Sequence, residues 1–136
     1  METSVLYVSR NLVPAERREE AMRDIIRIAR ARNAGFGVTG ALIATDARFA
    51  QLLEGEAQAV ATLMALISTD PRHTDVRVLH DGPITRRRFP KWSMAYSGLA
   101  RYVANYVEPL LSDPSPDNGP ETARQLTRLM EKLVNP

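Results

Sequence analysis

Residues 38–54 read VTGALIATDARFAQLLE, and the rest of the architecture can be built around them. Val38 to Ala44 and Ala47 to Glu54 are β-prone runs on either side of Thr45-Asp46, a pair suited to a turn, so the segment is expected to form a hairpin. Side chains alternate between the faces of a strand, which sets Phe49, Gln51 and Leu53 on one side of the second arm. An amide on an apolar face must find hydrogen-bond partners. Before the hairpin, Ala15 to about Arg32 carries Met22, Ile25, Ile26 and Ala29 at helical spacing, with arginines and glutamates opposite, and Asn33 to Gly37 closes the helix. After it, Gly55 is expected to break the strand. Val60, Leu63, Met64 and Ile67 then repeat the helical spacing as far as Asp70-Pro71, where proline forbids continuation.

Val5 to Arg10 reads as a first strand, Val76 to His80 as a fourth and Trp92 to Ser97 as a fifth. The order is βαββαββ. With right-handed crossovers it predicts an α+β, ferredoxin-like fold: a mixed five-stranded sheet with two helices on one face and strands one and three side by side in the middle. Tyr7 on strand one then comes close to Gln51 in the core. Spacing alone leaves that contact as either a bond that satisfies two buried groups or a functional pair. Trp92 and Met94 share one face of strand five, and by position they read as core packing.

Beyond strand five, Leu99, Tyr102, Val103 and Tyr106 give one apolar helix face, and Leu126, Leu129, Met130 and Leu133 give another. A loop rich in Pro, Asp and Ser, from Ser112 to Pro120, joins them. The expected division is residues 1–97 as the core domain and 98–136 as a helical extension. The two apolar faces need a cover, either the open face of the sheet or a second protomer, so a homo-oligomer, such as a dimer, is expected.

With 136 residues, 44% of them hydrophobic and 25% charged, the chain has the material for one ordinary core. It has no cysteine, which removes disulfides, thiolate metal sites, thiol nucleophiles and cysteinyl photoadducts. The net charge of +2 is mild for a dedicated nucleic-acid binder, although the basic residues are all arginine except Lys91 and Lys132. No run approaches the ~18 apolar residues of a membrane span, and METSVLYVSR lacks a secretory layout, so a cytoplasmic location is expected.

Gly35, Gly37 and Gly40 spell G-x-G-x-x-G, but a helix precedes and a strand follows, the reverse of a dinucleotide loop. A helix cap and a close backbone approach are expected instead. His73 and His80 have no partners spaced for a triad or a metal. Arg86-Arg87-Arg88 reads as a solvated loop.

LYVSR with Tyr7, RNAGFGVTGAL with Asn33, FAQLLEGE with Gln51, DPRH with Asp70 and His73, and RRFPKWSM with Trp92 and Met94 together resemble the BLUF domain, a family of blue-light sensors that bind flavin. The resemblance runs from about Val5 to Ser97. It implies a noncovalent flavin, usually FAD, with FMN or riboflavin as alternatives, whose ring lies between the two core helices. It places Ile25 and Ile67 beside the ring and Asn33 at its carbonyl and imide edge, and it puts Phe49, Asp70, Arg72 and His73 near the cofactor. Some members carry a basic residue at the position of Leu66 that reaches the phosphates; here Arg32, Arg30 or Arg72 is left to do so.

The residue types then suggest a switch. Tyr7 is suited to give an electron and release its proton to a bonded neighbour, and Gln51, with a donor at one end and an acceptor at the other, changes the bond offered to the flavin by rotating or tautomerising. Trp92 and Met94 would compete for the place beside Gln51 and relay the change to the extension. The expectation is a photoreceptor without catalysis of its own that signals through contacts with another protein or another copy. A ferredoxin-like hydrolase of the acylphosphatase kind is the alternative, but it lacks the glycine-rich basic loop at the first strand. A cofactor-free adaptor is the other, with Leu66 its only hint.

Overall fold

The computed structural model describes residues 1–92, 95–98, 108–110 and 119–134. In chain order these form β1 (Glu2–Asn11), a 3-10 turn (Ala15–Arg17), α1 (Arg18–Gly35), β2 (Thr39–Ala44), β3 (Arg48–Glu56), α2 (Ala57–Ser68), β4 (His73–Pro83), β5 (Ala95–Gly98) and α3 (Gly119–Val134). The sheet order is β4-β1-β3-β2-β5. The β4-β1-β3-β2 ladder is antiparallel throughout, and short β5 lies parallel to β2. β1 and β3 are neighbours at the heart of the sheet, and their register sets Tyr7 opposite Gln51.

Several boundaries differ from the expectation for a common reason: tertiary pairing overrides local signals. Gly55 does not end β3, because Thr3 supplies it a ladder partner. β1 begins as early as Glu2, where Glu56 is its partner. β4 begins at His73, paired with Asn11, and its ladder against β1 shifts register between Leu6 and Tyr7 and again between Val8 and Arg10. Asp75 there adopts φ 55°. Trp92 does not belong to strand five, which starts at Ala95. Its N–H instead donates to the Phe89 carbonyl at 3.1 Å, in the turn that follows β4.

Alternation along β1, β2 and β3 divides the core in two. On one face Val5, Tyr7, Leu42, Phe49 and Leu53 pack with Met22, Ile26 and Ala29 of α1 and with Val60, Leu63 and Ile67 of α2. On the other face Leu6, Val8, Ala41, Ile43, Ala50 and Leu52 pack with Ala123, Leu126 and Met130 of α3. The second tail helix therefore covers the sheet face that the first two helices leave open. The proposed helix through Leu99, Tyr102, Val103 and Tyr106 lies outside the described residues; residues 108–110 are helical.

The glycines after α1 behave as a cap and a close contact. Gly37 has φ +67°, a left-handed conformation that costs other residues more, and a Cβ on Gly40 would lie 2.0 Å from the Leu52 carbonyl oxygen. No phosphate cradle is formed. Close approach of β2 to β3 is what these residues achieve, and it seats Leu42 opposite Gln51.

Candidate functional site

Between the sheet and the two helices a cleft of about 490 Å³, counting solvent at its mouth, opens over Gln51. Such a volume suits a small organic molecule (~300–1,000 Å³). Ile25, Ile28 and Ala29 of α1, Ile67 of α2, and Leu42 and Phe49 of the sheet supply its apolar walls. Tyr7, Gln51, Arg32, Asp70, Arg72 and His73 bring polar atoms to it. The combination fits a flat, largely apolar ring system with polar edges.

At the floor, the Tyr7 hydroxyl donates a short hydrogen bond to Gln51 Oε1. Both residues are buried. Burial pushes the Tyr7 phenol far above its usual range, with the positive charge of Arg32 opposing that shift and Asp70 adding to it. The phenol therefore keeps its proton and offers it to the amide oxygen. The amide NH2 group remains the donor end of the same side chain.

His73 braces this floor. Its Nε2 lies 2.7 Å from the Ile67 carbonyl and its Nδ1 2.8 Å from Ser9 Oγ. A carbonyl can only accept, so Nε2 carries the proton, and in the neutral ring Nδ1 accepts from the serine hydroxyl. The ring meets Tyr7 edge-on with centroids 6.0 Å apart, and Phe49 at 6.1 Å. Both nitrogens of His73 are thus used to tie the end of α2 to β1.

Arg72 is likewise engaged. Its Nε lies 2.9 Å from Asp70 Oδ1, and its backbone N–H donates to the same oxygen at 2.9 Å. The hydrogen bond from Arg72 holds the Asp70 carboxyl below the ordinary carboxylate range, against the raising effect of partial burial, and the same bond raises the Arg72 guanidinium. Arg32 differs: its Nε is buried on the cleft wall with no hydrogen-bond partner among the described residues. A buried guanidinium nitrogen without an acceptor calls for one from a ligand.

Of the residues expected near a cofactor, Ile25, Arg32, Phe49, Gln51, Ile67, Asp70, Arg72 and His73 line the cleft together with Tyr7. Asn33 does not. It is fully buried on α1, and its backbone carbonyl accepts the N–H of Val38 at 2.8 Å, closing the turn into β2. Trp92 also lies away from the cleft and is 40% exposed, since it precedes β5; Met94 lies outside the described residues. Leu66 is exposed on α2. Ile28, Ala29 and Leu42 were missed as lining residues, although the signal was present: Ile28 follows Ile25 by one helical turn, and Leu42 shares the face of Gln51 across the hairpin.

No helix among the described residues is long and apolar enough to cross a membrane. Among the same residues, no group of three or more His, Cys, Asp and Glu is placed to hold a metal ion.

Comparison with known proteins adds the family. The model of the family described as "Sensors of blue-light using FAD" matches residues 3–95. The photoactivated adenylate cyclase subunit beta-like protein FB of Euglena gracilis is 36% identical over 105 residues, which are 76% of this chain and 12% of that relative. Photoactivated adenylate cyclase subunit beta of Euglena longa is 38% identical over 93 residues, 68% of this chain and 11% of the relative. The chain thus spans only about a tenth of the length of these curated relatives. Among solved structures, the dark state of BlrB, a BLUF protein, superposes with a TM-score of 0.80 at 34% identity, covering 96% of each chain. The ground state of BlsA gives 0.80 at 26% identity, covering all of this chain and 89% of that one. The matched family is one of sensors, which agrees with the reading of the chain as a sensor. The match over residues 3–95 takes in nearly all of the sheet's antiparallel ladder and both helices over the cleft: the chain belongs to the BLUF family of flavin-binding blue-light sensors.

Proposed function

We propose that this chain is a blue-light photoreceptor in which Tyr7 and Gln51 are the photoactive pair and the response is an altered contact with another protein. The observation that carries the reading is the buried Tyr7–Gln51 hydrogen bond on the floor of an apolar cleft. The residues fit a flavin. Ile25, Ile28 and Ile67 give walls for the ring, and the acceptor-poor Arg32 meets a carbonyl or phosphate oxygen. FAD is the expected form, and FMN and riboflavin present the same ring. The family resemblance implies that the cofactor is held noncovalently, and with no cysteine in the chain a cysteinyl flavin link is excluded.

Bound flavin supplies the absorption of blue light and, once excited, an electron acceptor. The chain's own groups do the rest. Tyr7 is a buried phenol whose proton already points at Gln51 Oε1, so loss of an electron from the ring makes it acidic and passes the proton along that bond. Gln51 then cannot keep its former arrangement. Rotation or tautomerisation exchanges which end of the amide faces Tyr7 and which faces the ligand. A hydrogen bond is worth ~1 kcal/mol net, and more where a buried partner is stranded. That suffices to bias two arrangements of the segment around Trp92 and Met94, and through it the extension from residue 98 onward. The receiver is a downstream protein or a second copy of the chain in the cytoplasm.

Loading the purified chain with FAD and recording its visible spectrum in darkness, under blue light and after renewed darkness tests the proposal. A reversible red shift of the flavin band is expected. A chain that binds no flavin, or a yellow one whose spectrum never moves, overturns it.

A further inference from the structure

Glu54 is a buried carboxylate that the photochemistry does not use. It lies on β3 near Gln51, but alternation turns it to the opposite face, towards α3. At 1% exposure it is among the most deeply buried groups of the protein. A buried charge persists only when fully bonded, and Glu54 is. Its Oε1 accepts from Thr39 Oγ1 at 3.0 Å and from the Phe89 backbone N–H at 2.7 Å, and its Oε2 accepts from the Arg88 N–H at 2.9 Å. Arg87, bonded to Glu2 and to Thr39 Oγ1 at 3.4 Å, brings a positive charge to the same end of the sheet.

The two amides it binds belong to a segment outside the sheet ladder. β4 leaves the ladder at Pro83 and β5 begins at Ala95. Arg88 and Phe89 therefore take from a side chain what a strand partner would otherwise give. Their own side chains then reach the tail helix. Phe89 is fully buried in the apolar cluster that holds Leu126 and Met130, and Arg88 Nη1 lies 2.8 Å from Glu131 Oε1. The Phe89 carbonyl in turn accepts the N–H of Trp92, whose own carbonyl accepts the Gly40 N–H at 3.1 Å.

We infer that Glu54 is a positioning residue for the light signal, the point at which a shift of β3 beneath Gln51 is passed through the Arg88 and Phe89 backbone to α3. The inference rests on the photoreceptor reading above. β3 carries Gln51 on one face and Glu54 on the other, and strands in a packed core move as units rather than bend locally. Charge-assisted bonds to two consecutive amides make a stiffer link than apolar contact, which can slide.

Hydrogen exchange on the flavin-loaded full chain, in darkness and under steady blue light, tests it. In the unaltered protein, the Arg88 and Phe89 amides should be protected in darkness and should exchange about tenfold faster in light, as weakening of a charge-assisted bond implies. The light-dependent change in residues 119–134 should accompany this. In Glu54→Gln, which replaces one acceptor oxygen by a donor opposite a donor, the red shift should keep its size while the light response of residues 119–134 disappears. Unchanged Arg88 and Phe89 exchange in light in the unaltered protein overturns the inference without any variant. So does a Glu54→Gln protein whose α3 still responds as before. Absence of a red shift in the unaltered protein would instead overturn the photoreceptor reading, and this inference with it.

Discussion

The two faces of the central sheet are made by the same strands and differ by one residue of phase. The α3 face is an apolar layer of Leu6, Val8, Ala41, Ile43, Ala50 and Leu52, closed by Leu126 and Met130. The α1 and α2 face has equal access to apolar residues, yet Tyr7, Gln51, His73 and Arg32 interrupt it around a cleft. Polar groups in a core cost stability unless each is bonded, so a face that carries several in one place is built for something other than packing. The α3 face keeps its middle apolar and carries the bonded Glu54 carboxylate only towards the end of β3.

The sharpest way to break this contrast is to remove its polar centre. Tyr7→Phe and Gln51→Leu should each bind flavin and each lose the red shift completely in the light-minus-dark spectrum. A normal photocycle in either would mean that the pair is structural. The opposite face should respond in the opposite way. Leu126→Ala should lower stability in urea by about 2–5 kcal/mol, as large cavities do, with the flavin spectrum unmoved. Gly40→Ala should cost about 1–3 kcal/mol on the same measurement, because its Cβ would run into the Leu52 carbonyl and push β2 from β3.

Smaller effects sharpen the picture at the cleft mouth. Arg32→Gln should weaken flavin binding about tenfold by fluorescence titration, the equivalent of ~1.4 kcal/mol, and should leave stability without flavin nearly unchanged. The Asp70–Arg72 pair should matter least. Asp70 is depressed in the folded state, so its contribution is present above the ordinary carboxylate range and is lost as pH falls through its lowered value. Both side chains keep about a third of their surface exposed, and screening holds the contribution below ~1 kcal/mol. The stability difference between the unaltered protein and Arg72→Met should therefore shrink towards zero in acid.

The contrast between faces also explains what could be read from the chain itself. Strand alternation and one amide in FAQLL were enough to bring Tyr7 and Gln51 together, because a β-ladder converts sequence phase into spatial pairing directly. The helical stripe on α1 marked Ile25 as apolar by the same logic, and the family resemblance set it beside the cleft. Features created by long-range partners were not legible. Gly55 stays in β3 only because Thr3 meets it, His73 becomes a strap only because Ser9 and the Ile67 carbonyl converge on it, and Glu54 is buried only because residues 88 and 89 return to it. Trp92 was misplaced for a related reason: the turn at Phe89 delays the start of β5, and apolar spacing carries no mark of that turn.

The central claim is that light changes the hydrogen bond presented by Gln51. A carbonyl that gains a hydrogen bond vibrates at lower frequency, so the light-minus-dark infrared spectrum of the flavin-loaded protein reads the claim directly. A reversible downshift of a flavin carbonyl band, present in the unaltered chain and absent in Gln51→Leu, is the predicted result. The same downshift in both proteins, or none in the unaltered one, would contradict the account.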